Sequence, residues 1–70
     1  MEQFISNVRA VMSKEGLSQS GLGYKANITQ SGISRILNGK ERMTVDRAQR
    51  IAVALGYTMS ELFSAEFSVS

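Results

Sequence analysis

Four polar residues, Gln30, Ser31, Ser34 and Arg35, sit among Ile33, Ile36 and Leu37. On a helix, the three apolar residues share an inward face and the four polar ones turn outward. A glutamine amide offers a donor and an acceptor side by side, the pattern that matches adenine in a major groove. An arginine fork matches guanine O6 and N7, and a serine hydroxyl bonds either base class or a phosphate. Taken alone, the same four residues equally describe the solvated face of an ordinary helix. Gln19 and Lys25 precede them and Asn38, Lys40 and Arg42 follow. Residues of these types hold sugar-phosphate backbone, contacts that fix register rather than sequence. Of these Lys25, together with Lys14, is a weaker candidate, because a lone exposed lysine more often only solubilises, and Tyr24 projects from the preceding segment without an assigned role.

Other chemistries find little support. The chain has no histidine and no cysteine, so the usual proton shuttle near neutral pH and the thiolate metal ligand are both missing. The acids Glu2, Glu15, Glu41, Asp46, Glu61 and Glu66 are scattered, most at expected helix ends or on the surface, and no base stands ready to activate a serine. Catalysis, a metal site and a cofactor are therefore not expected. Net charge is +2, too mild for composition alone to point to nucleic acid, so the distribution of charge has to decide. No apolar run approaches the roughly 18 residues of a membrane span, and no signal-peptide pattern opens the chain. The expectation is a soluble cytoplasmic protein.

Seventy residues make one small domain with a thin core. The pattern predicts five helices. The first spans residues 3–15, with Phe4, Val8, Val11 and Met12 inward, Ile5 on its flank and Gly16 ending it. Leu17 enters the core and Ser18 caps the second helix, Gln19–Ala26, whose inner stripe is Leu22 and Ala26. Gly23 lies on that stripe, where a side chain would push the next helix away. Asn27 tolerates the positive φ of a tight turn, and Thr29 caps the third helix, Gln30–Leu37, which stops at Asn38-Gly39. Lys40 to Met43 read as a basic loop. Thr44 caps the fourth helix, Val45–Leu55, with Val45, Ala48, Ile51, Ala52 and Leu55 as its stripe and Gly56 as its end. Thr58 and Glu61 form a capping box opening a short fifth helix with Leu62 and Phe63. The tail, residues 65–70, alternates weakly, as a frayed end or a strand that pairs with a second subunit would.

The run from Gln19 to Asn38 resembles the helix-turn-helix of the lambda-repressor-like (Cro/CI, XRE-type) family, and the resemblance extends without a gap from about Phe4 to Phe63. Gly16-Leu17-Ser18-Gln19, Ile33-Ser34-Arg35-Ile36, Asn38-Gly39-Lys40 and Ile51-Ala52-Val53-Ala54-Leu55-Gly56 carry it. It implies an all-α, five-helix bundle over residues 1–64 and sequence-specific binding of a double-stranded DNA operator by a homodimer. By resemblance, Gln30, Ser31 and Arg35 match base-reading positions, and Gln19 matches a residue that bonds a phosphate and braces a glutamine such as Gln30. A phage- or plasmid-type repressor, as a complete Cro-like chain, is the leading expectation. An antitoxin or protein-interaction module, or a restriction–modification controller, are the alternatives on the same fold. Exposed apolar residues near the C-terminus, Tyr57, Met59, Phe63, Phe67 and Val69, are the expected dimer surface. The sequence departs from the family where many members pair an Arg with a Glu: Met12 and Leu37 stand at those places. A contact between the two is expected, since packed apolar residues replace a buried ion pair at little cost.

Overall fold

The computed structural model describes residues 2–68. Helix α1, Glu2–Glu15, buries Phe4, Val8, Val11 and Met12 at the spacing of one helical face. Gly16 then turns the chain at φ +64°, and Leu17 returns an N–H to the Met12 carbonyl at 2.9 Å. Helix α2, Gln19–Ala26, starts where the Ser18 hydroxyl accepts from the Gly21 N–H at 3.0 Å. It packs on both α3, Gln30–Leu37, and α4, Val45–Leu55. Helix α5, Met59–Phe63, opens with the full Thr58–Glu61 capping box and packs on α1 and α4. No helix among the described residues is long and apolar enough to cross a membrane.

The core is a single cluster to which every helix contributes: Phe4, Val8 and Val11 from α1, Leu22 from α2, Ile33 and Ile36 from α3, Ile51 from α4 and Leu62 from α5. Met12 and Leu37 are both buried within it, at 8% and 6% exposure, so the place of the family's ion pair is filled by apolar side chains. One polar side chain is buried with them. Asn7 donates to the carbonyls of Leu62 (2.8 Å) and Ser64 (3.0 Å) and accepts from Gln3, which fastens the end of α5 to α1. A buried amide is costly unless satisfied, and here both of its ends are.

One expectation needs revision. Val45 is not part of the α4 stripe but 77% exposed, because it follows the Thr44 cap directly and shares the outer face with Gln49 and Val53. Lys40 to Met43 form the expected loop between α3 and α4, from which Met43 turns inward and is buried at 6% exposure. In the tail, residues 64–68 take a turn, and residues 69–70 lie outside the described residues. The Phe67 N–H reaches back to the Ser64 carbonyl at 3.3 Å, and the Phe67 ring meets Tyr57 edge-on with centroids 5.2 Å apart.

Candidate nucleic-acid interface

The α2–α3 corner decides how the outer face of α3 is held. Asn27 takes the left-handed conformation (φ 58°, ψ 45°), and its N–H and that of Ile28 close back on the last turn of α2. Gly23 lies against this corner. A Cβ there would stand 2.5 Å from the Ile28 carbonyl oxygen, a backbone atom, so the approach requires glycine. Thr29 caps α3 by accepting from the Gly32 N–H at 3.0 Å. Arg50, from α4, donates to the Asn27 carbonyl at 3.4 Å and pairs with Asp46 one turn back. The corner is thus fixed by a capping side chain at each helix start and by α4 behind it.

On this frame Gln30, Ser31 and Arg35 are exposed, whereas Ser34 is half-buried. The Ser31 hydroxyl lies 3.4 Å from that of Thr29. Ser34 accepts at its carbonyl from the Asn38 amide at 2.8 Å, and its hydroxyl lies 3.4 Å from the same nitrogen. Asn38 accepts in turn from Arg9 at 3.4 Å, so its side chain is already engaged at both ends. A phosphate would compete only for the Nδ2 hydrogens, first for the longer contact to the Ser34 hydroxyl. Lys25, Lys40 and Arg42 are exposed and Gln19 is half-buried at the start of α2. Tyr24 is 91% exposed on the same helix.

Arg35 is not a free side chain. Its Nε donates to Glu41 Oε1 at 2.9 Å, and the other carboxylate oxygen of Glu41 is bonded by Arg47, from the first turn of α4. The Arg35 hydrogen bond is the largest influence on the Glu41 carboxyl. It and the charges of Arg47 and Arg35 hold the group below the ordinary glutamate range, against an opposing push from partial desolvation. Glu41 is therefore a carboxylate at neutral pH, held between two guanidinium groups.

A helix-turn-helix family model matches residues 8–62, most of the chain. The chain belongs to the lambda-repressor-like helix-turn-helix family. In that family α2 and α3 are the helix-turn-helix proper, and the function that follows is DNA binding in the service of regulation. Comparison with proteins of curated function and with solved structures yields no match.

Two residues that bear on this lambda-repressor-like site were not singled out from the sequence. In the sequence Glu41 is one of six scattered acids, six residues after Arg35 and six before Arg47, a spacing that no helical period marks. Arg9 donates to the Leu37 carbonyl at 2.9 Å, at the negative end of α3. It lies one turn before Met12 on α1 and adds a polar tie to α3 beside the apolar Met12 and Leu37.

Proposed function

We propose that this chain is a phage- or plasmid-type repressor that occupies a partly palindromic operator as a homodimer, with α3 in the major groove. The observation that carries the reading is the outer face of α3: Gln30 and Ser31 stand exposed in the first turn of a capped helix and Arg35 in its last turn. A helix enters the major groove in this family with its N-terminal part deepest. Gln30 then meets adenine, Arg35 guanine, and Ser31 and Ser34 a base or the backbone beside it. Gln19, Lys25, Lys40 and Arg42 hold phosphates, Gln19 with the N–H groups that open α2. Asn38 fixes the end of α3 behind them.

Selection of bound sites from random duplexes, followed by two substitutions, tests this. Arg35→Ala should cost about 1–3 kcal/mol at the selected site and relax base preference at one position per half-site. Lys40→Ala should weaken binding to all sequences alike and lower the slope of log K against log salt by about 0.9 per phosphate lost. Equal losses for Arg35→Ala on selected and random DNA would overturn base reading by α3.

A further inference from the structure

The ion-pair network around Glu41 has a consequence for how Arg35 is used. Guanidinium has two hydrogen-bonding edges that suit a guanine: a side edge made of Nε with the neighbouring Nη, and an end made of the two Nη groups. In the structure Nε is committed to Glu41, and among the described residues no partner is bonded to either Nη. Glu41 is in turn fixed by Arg47, whose own N–H is held 3.2 Å from the Thr44 hydroxyl at the start of α4. The loop between α3 and α4 thus ties the side chain of one α3 residue to the next helix.

We propose that Glu41 is a positioning residue for base recognition: it holds Arg35 by Nε so that the two terminal Nη groups face a guanine end-on. This rests on the reading of Arg35 as a base contact. Bidentate recognition depends on geometry, and a long side chain loses rotamer freedom when it is placed. A carboxylate that meets that cost before DNA arrives raises the discrimination of the contact. The same carboxylate repels phosphates, so it lowers affinity for DNA in general. Glu41 therefore acts on preference and on overall affinity with opposite signs, which separates it from a residue that merely stabilises the fold.

The opposing possibility is a latch, in which Glu41 competes with DNA for Arg35 and must release it. Binding of wild type, Glu41→Ala, Glu41→Gln, Arg35→Ala and the Arg35→Ala/Glu41→Ala double variant would be measured on the selected site, on that site changed at the position Arg35→Ala relaxes, and on a random duplex. In wild type, Arg35 should supply a preference of about five- to 150-fold at that position. Glu41→Ala should tighten binding to random duplex yet lower the preference by about two- to fivefold, the range that an exposed ion pair supports. Glu41→Gln keeps an acceptor and should fall between. The double variant should show the preference of Arg35→Ala alone. If Glu41→Ala tightens the selected site and leaves the preference intact or larger, the latch is right and positioning is overturned. Equal weakening on all three duplexes, with a lower melting temperature, would assign Glu41 a structural role only and overturns it as well. If Arg35→Ala itself leaves every base preference unchanged, the reading of Arg35 has failed, and positioning by Glu41 falls with it.

Discussion

At the scale of single residues, Gly23 and Arg35 show what one side chain, or its absence, decides. Alanine is the better helix former by about 0.5–1 kcal/mol, so Gly23→Ala would stabilise an isolated α2. In the folded chain its Cβ would stand 2.5 Å from the Ile28 carbonyl oxygen, and backbone cannot swing aside as a side-chain tip can. Overpacking of this kind costs about 1–3 kcal/mol, which outweighs the helical gain. Gly23→Ala should therefore unfold at lower denaturant. Gly21→Ala, where the nearest contact is the flexible tip of Leu17 at 2.9 Å, should be neutral or slightly stabilising. Denaturant titration of the two variants checks this, and a Gly23→Ala protein as stable as wild type would mean that the corner can open without loss. Gly23 was legible in the sequence because its place on the stripe of Leu22 and Ala26 is a matter of spacing. The engagement of Arg35 by Glu41 was not, because an ion pair across a loop depends on where the loop turns, and no helical period encodes that.

At the scale of elements, helix ends were the most readable feature of the chain. Ser18, Thr29, Thr44 and Thr58 each accept the N–H three residues on, as their types at those positions predict, and Asn27, Gly16 and Gly56 take the left-handed turns expected of them. These signals are local, so a single sequence carries them. What holds the far end of α3 is not local: Arg9 arrives from α1, 28 positions earlier, to bond the Leu37 carbonyl. With Met12 and Leu37 both apolar, this is a polar tie between α1 and α3 beside them. Arg9→Ala should remove a charge-assisted bond at the negative end of α3 and cost about 0.5–1.5 kcal/mol, the lower part of the range because the guanidinium is partly exposed. Native-state amide exchange offers the sharper measurement. Protection should fall first at Ile36, Leu37 and Asn38, whose N–H groups close the last turn of α3, and less in α2. A uniform loss across all five helices would instead mean that Arg9 contributes only to global stability.

At the scale of the whole molecule, the proposed palindromic operator requires two copies. The chain carries one helix-turn-helix and measures 28 Å along its longest axis, shorter than the roughly 34 Å that separates half-sites on one face of a duplex. Of the apolar residues expected to join the copies, Tyr57, Met59 and Phe67 are partly buried against their own core, and Val69 lies outside the described residues. Phe63 remains 39% exposed at the end of α5, its ring 4.6 Å from that of Phe4. Phe63 is therefore the first residue to substitute in testing the proposed contact between copies, because aromatic rings bury large area at little entropic cost. Phe63→Gln should leave affinity for a single half-site duplex unchanged while abolishing cooperativity on the full palindrome, read as a shift from a steep to a hyperbolic titration. The half-site arm also serves as the control for the lost contact with Phe4: a misfolded variant would fail there first. Cooperativity that survives Phe63→Gln would move the junction elsewhere, and the outer face of α4, where Val45 and Val53 stand 77% and 65% exposed, would be the next surface to substitute.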